Sequence, residues 1–211
     1  MLIQGQVGQP AVRSISAGAN PVIRQGQQSD LIVSELHGRY YEQTYNRSMF
    51  TATLTAGTTT SAALSTTFTG LLLLNPNNSQ VNFVINKVGM SFLVAFAAAS
   101  AVGIQVGNQS TAVLSSLTTT NTQTRNNFIG APNSTVGLTY SAATTTAPAL
   151  LQLFGSGLTG AITTTPQIPG FFVDLEGSVI VPPGAWIGTY TSTASGASGM
   201  LASIAYEEVP I

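Results

Sequence analysis

Residues 34–47, SELHGRYYEQTYNR, hold the densest set of reactive side chains in the chain. From Asp30 to Arg47 lie five of the charged residues (Asp30, Glu35, Arg39, Glu42 and Arg47), out of six basic and seven acidic in the whole protein. The only histidine, His37, is here too, with Tyr40, Tyr41 and Tyr45 from a total of six tyrosines. A histidine among carboxylates is the raw material of general acid–base chemistry. A Ser-His-Asp arrangement would have to use His37, but no G-x-S-x-G elbow marks a serine for it, and the chain has no cysteine. Tyr and Arg are also the side chains most enriched among interface anchors. In an extended backbone Glu35, His37, Arg39 and Tyr41 would share one face. The expectation is therefore a contact surface built from Glu35, His37, Arg39, Tyr40, Tyr41, Glu42, Tyr45 and Arg47, with no catalytic role.

Two further acidic pairs invite a chemical reading. Asp174 and Glu176 would share a face of a regular strand, and Glu207 and Glu208 are adjacent. A glycosidase needs two carboxylates about 5–10 Å apart across a sugar cleft, and no dense aromatic lining accompanies these. A hard cation would want the same acids in a defined ligand loop, which the sequence lacks. They are expected to face solvent or to pair with Arg39, Arg47 or Arg125 across a subunit boundary. Gly155, Gly157 and Gly160 spell G-x-G-x-x-G after an apolar LLQLF. A dinucleotide site requires a helix after the glycines, and AITTTPQIPG follows instead. No cofactor or metal is expected.

Composition narrows the partners. Only 6% of residues are charged and the net charge is −1, against a usual charged share of about 25%. Electrostatic capture of nucleic acid is not expected. Low charge suits a protein packed among other copies better than a lone monomer, because solubility ordinarily rests on mixed charge. Its polar surface must come from Thr, Ser, Asn and Gln. The start, MLIQGQVGQPAVRS, lacks a basic region followed by an apolar one, so no signal peptide is expected. VGMSFLVAFAAASAVGIQV, residues 88–106, has the length and neutrality of a membrane span. Val84, Val88, Met90, Phe92, Val94 and Phe96 nevertheless recur with period two, which reads as a strand, a turn at 97–101 and a second strand.

The elements that must carry these residues are strands. Residues 1–29 show no lasting period and read as an extended N-terminal arm, 30–47 as the docking segment with a short helix possible, and 48–211 as the β-domain. Predicted strands are 49–55, 66–74, 81–96, 102–106, 112–117, 135–140, 150–154, 171–175, 178–181, 185–191 and 200–206. Turn signals such as NPNNS, GNQS, APNS, LEGS and VPPG separate them. Many short strands without a long helical pattern imply a sandwich or barrel.

DLIVSELHGRYYEQTY, FVINKVGMSFLVA and DLEGSVIVPPGAWIGTYT with a terminal YEEVP resemble tailed-bacteriophage head decoration, or cement, proteins. The resemblance spans residues 30–211 and carries no defined functional residues. It implies an all-β, jelly-roll-like antiparallel β-sandwich with an extended N-terminal arm. It further implies a homo-oligomer, typically a trimer, on the capsid surface of the virion, with the major capsid protein as partner and no direct contact with nucleic acid or membrane. Alternatives from other classes are a tail- or fibre-associated glycan-binding module, whose aromatic platform would use Trp186 or Tyr190, a minor or major capsid protein, and a glycan hydrolase using Asp174 and Glu176.

Overall fold

The computed structural model describes residues 5–7, 23–25, 38–96, 98–108, 114–157 and 170–211. The chain divides into two compact units, Met1–Tyr41 and Glu42–Ile211. In the first, β1 (Gly5–Val7) and β2 (Ile23–Gln25) pair in parallel. They are the described part of the stretch read as an arm.

The second unit begins in the single-turn helix α1 (Tyr41–Tyr45) and continues as two antiparallel sheets. Its strands are β3 (Met49–Leu54), β4 (Thr67–Leu74), β5 (Val81–Phe92), β6 (Ser100–Asn108), β7 (Ser115–Thr118), β8 (Thr122–Asn126), β9 (Leu138–Thr144), β10 (Ala149–Gly157), β11 (Gly170–Val181), β12 (Ala185–Thr191) and β13 (Met200–Pro210). One sheet runs β10-β6-β12-β4-β9-β7 and the other β11-β5-β13-β3-β8. Set aside β7, β8 and β9, and count the remaining strands of this unit from first to eighth. The sheets then read 5-4-7-2 and 6-3-8-1, the interleaved order of a jelly roll. The expected all-β, jelly-roll-like antiparallel sandwich is thus the observed one. The β7–β9 insertion follows the fourth of these strands and lengthens both sheets, β9 and β7 beside β4 and β8 beside β3.

One core fills the space between the sheets. It takes Phe50, Ala52 and Leu54 from β3, alternate residues of β5 and β13, and Leu71, Leu73, Ile104 and Ile187 from the facing sheet. Period-two alternation along each strand is what delivers these side chains inward. The run Leu71–Leu74 has no alternation, and β4 is buried on both faces. Leu71 and Leu73 join the main core, while Leu72 and Leu74 join a second cluster with Phe68, Tyr140 and Trp186.

Several expected elements shift. Residues 88–106 are indeed two strands, and no helix among the described residues is long and apolar enough to cross a membrane. Segments 171–175 and 178–181 are one strand, β11, interrupted by a register shift between Asp174 and Val179. Both β11 and β13 slip register against β5 between Ile85 and Lys87, so β5 changes its inward parity. Phe83 and Ile85 point in before the slip, and Val88, Met90 and Phe92 after it. Val84 therefore leaves the face assigned to it with Val88. β8 is a strand where none was expected, and β9 starts at Leu138 instead of 135.

Candidate docking surface

Of the residues expected to form the contact surface, Glu35 and His37 lie outside the described residues. Arg39 sets its guanidinium carbon 5.7 Å from the Tyr40 ring centroid, a cation–π contact between chain neighbours. Tyr41 opens α1, with its amide donating to the Gly38 carbonyl at 2.9 Å. The extended alternation expected through Tyr41 thus gives way to the short helix that the segment allowed, with Gly38 just before it.

How α1 ends determines what it presents. The Arg47 amide donates to the Thr44 carbonyl at 3.0 Å and the Ser48 amide to the Gln43 carbonyl at 3.0 Å. These are the paired bonds of a Schellman cap. Such a cap needs a left-handed residue, ordinarily glycine, and here Arg47 fills the position with φ of 61°. A non-glycine residue in that region costs about 1–2 kcal/mol. The surroundings hold it there. Asn126 at the end of β8 is buried, and its Nδ2 donates to the Arg47 carbonyl at 2.8 Å. Its Oδ1 accepts from the Phe128 amide at 2.8 Å. The next residue, Asn127, donates from its amide to the Met49 carbonyl at 2.9 Å and accepts from Thr51 Oγ1 at 2.6 Å.

This double clamp sets the β8 exit against the α1 exit. The Phe128 ring meets Tyr45 edge-on, with centroids 6.4 Å apart, and the Arg47 guanidinium carbon lies 5.6 Å from the same ring. Tyr45 remains 57% exposed and the neighbouring Ile129 91% exposed. The result is an aromatic, cationic and aliphatic patch on a hydrogen-bonded base. The structure therefore brings Tyr45 and Arg47 together with partners the sequence reading missed: Asn126, Phe128 and Ile129. The available signal was NNFIG, residues 126–130, an apolar pair in a turn outside any predicted strand.

Asp174 and Glu176 are exposed on β11, as expected, while Glu207 and Glu208 on β13 are only partly exposed. Asp174 pairs with Lys87 within the chain, Nζ to Oδ2 at 3.8 Å. Glu176 has φ of 51°, and its amide donates to Asp174 Oδ1 at 3.1 Å, so the two acids form a local turn at the register shift. Glu208 accepts from Thr135 Oγ1 at 2.5 Å and from the Val136 amide at 3.0 Å. Burial pushes the Glu207 carboxyl above its ordinary value. Among the described residues no group of three or more His, Asp or Glu is placed to hold a metal ion. Trp186 is fully buried, so it offers no platform to a sugar. Gly155 and Gly157 belong to β10, and Gly160 lies outside the described residues. Comparison with family models, curated proteins and solved structures finds no match for the chain.

Proposed function

We propose that the chain is a virion structural protein: a capsid decoration, or cement, protein that binds and stabilises a phage head shell as a homo-oligomer, typically a trimer. Its partners are the major capsid protein and further copies of itself. The observation that carries this reading is the patch of Tyr45, Arg47, Phe128 and Ile129. Exposed Tyr, Arg and Phe side chains are the types that dominate binding energy at interfaces. Here they are preorganised by Asn126, so little ordering remains to be done on docking. A backbone strained at Arg47 and retained at the surface fits a site kept for binding.

Self-association has its own support in β10, an edge strand of the six-stranded sheet. Its sequence, ALLQLFGSG, has no charge, and Leu150, Leu151 and Leu153 are each about half exposed. The other sheet's β11 edge carries Asp174 and Glu176, the kind of charge that discourages edge contacts. Two register shifts along β10 twist it, so leucine packing, not an added strand, carries the contact.

The test is cosedimentation of purified protein with head shells of the encoding phage that lack it. Saturation near one copy per capsid subunit is expected. The double variant Phe128→Ser, Ile129→Ser should bind at least about tenfold more weakly. A wild-type protein that stays in the supernatant at all concentrations defeats the proposal.

A further inference from the structure

The outer face of the five-stranded sheet carries a second feature, which shares no residue with the docking patch. Strand register sets Phe172 opposite Gly89, Gly89 opposite Ser203, and Ser203 opposite Thr53. These residues form one row across β11, β5, β13 and β3 and all point away from the core. Gly89 makes the row a trough: a Cβ there would lie 2.9 Å from Ser203 Oγ and 3.5 Å from the Phe172 ring. Phe172 stands at one end of the trough, 71% exposed. The depression that includes this row measures about 550 Å³, within the range of about 300–1,000 Å³ for small-molecule sites. In the adjoining row Lys87 lies opposite Asp174. Its Nζ sits 3.8 Å from Asp174 Oδ2 and 5.5 Å from the Phe172 ring centroid.

We propose that this trough binds a neutral saccharide, with Phe172 as the stacking platform and Ser203 and Thr53 as hydroxyl partners. A sugar ring has an apolar C–H face and a rim of hydroxyls. An exposed phenyl ring takes the first, because an aromatic face gives a large contact at low entropic cost. Side-chain hydroxyls take the second: Ser203 can donate and accept, while Thr53 Oγ1, which donates to the Gln123 carbonyl at 3.4 Å, accepts. The flanking Lys87–Asp174 pair sums to zero charge, so an uncharged ligand can cover it without burying a lone ion. The missing side chain at Gly89 provides the depth.

The experiment titrates ¹⁵N-labelled full-length protein with maltohexaose, cellohexaose, mannohexaose and galactohexaose, each to about 10 mM, a range that detects Kd values near the millimolar level. At least one is expected to shift the amides of Gly89, Phe172 and Ser203 saturably. Phe172→Ala should weaken that response at least about tenfold, and Phe172→Trp should retain it. Because Phe172 is exposed, unchanged amide spectra away from the trough will show that both variants fold. Silence with all of these sugars overturns the proposal. Binding that is equal in Phe172→Ala, shifts confined to another surface, or a response only to charged sialyllactose does the same.

Discussion

Asn126 donates its side-chain amide to the carbonyl of Arg47 at 2.8 Å across 79 positions of sequence. The same side chain accepts from the Phe128 amide, so one buried residue joins a strained helix cap to an aromatic loop. Asn126→Ala would strand both backbone groups. The expected cost is about 2–3 kcal/mol of unfolding free energy, read from urea titrations, together with loss of shell binding. Loss of binding with stability intact would mean that the clamp is not structural.

Arg47→Gly separates strain from recognition. Glycine relieves the left-handed backbone by about 1 kcal/mol and forfeits a cation–π contact of about 0.5–1 kcal/mol. Stability should therefore stay within about 0.5 kcal/mol of wild type, while shell binding falls. A large stability loss would show that the guanidinium, not the Asn126 clamp, holds the cap.

The leucines of β10 should govern assembly. Leu151→Lys with Leu153→Lys puts charge on an uncharged edge, a change that opposes edge association. Light scattering after gel filtration should show the oligomer replaced by monomer with the melting behaviour of the sandwich preserved. An unchanged mass would place the self-contact elsewhere.

Gly107 and Trp186 are cross-strand partners in β6 and β12. A Cβ at Gly107 would fall 2.6 Å from three atoms of the indole, and Trp186 is fully buried and has nowhere to retreat. Gly107→Ala should cost about 1–3 kcal/mol, and Trp186→Ala about 3–5 kcal/mol. Denaturant midpoints of the two variants check both figures, and a neutral Gly107→Ala would show that the cluster around Trp186 is plastic.

Tyr206 sets the alkaline limit. Its phenol is buried between Phe50 and Phe83 and lies 2.7 Å from Thr135 Oγ1, which in turn donates to Glu208. Burial pushes its pKa well above the ordinary 10.0; the Thr135 contact opposes this and the Glu208 charge adds to it. The folded state thus keeps the proton after the unfolded chain has released it. Since the unfolded state then binds fewer protons, stability is full below about pH 10 and falls as pH rises through the folded pKa. Thermal melts from neutral pH to about pH 11 should show this decline. Tyr206→Phe should flatten it, at a neutral-pH cost of about 1 kcal/mol for the lost hydrogen bond. An equal decline in Tyr206→Phe would assign the alkaline effect to other groups.

Composition and period-two patterning were enough to establish an all-β chain with little charge. The turn signals NPNNS and VPPG do separate β4 from β5 and β11 from β12, because Pro and Gly restrict the backbone locally. The tyrosines and arginines of 40–47 were visible by residue type alone, and the structure gathers two of them, Tyr45 and Arg47, around Phe128. What the tertiary structure decided lies beyond local periodicity. The slip in β5 after Ile85 turns Val84 away from the face that Val88 shares with the core. A bulge is set by the partner strand's register, which no window of neighbouring residues contains. Phe128 reaches Arg47 because β8 pairs with β3, and β8's TQTRN carries no apolar alternation to announce a strand. In sequence Trp186 was a candidate platform for a glycan. Packing against Phe68 and the open backbone of Gly107 made it core, since a jelly roll's strand order places these residues together irrespective of their distance along the chain.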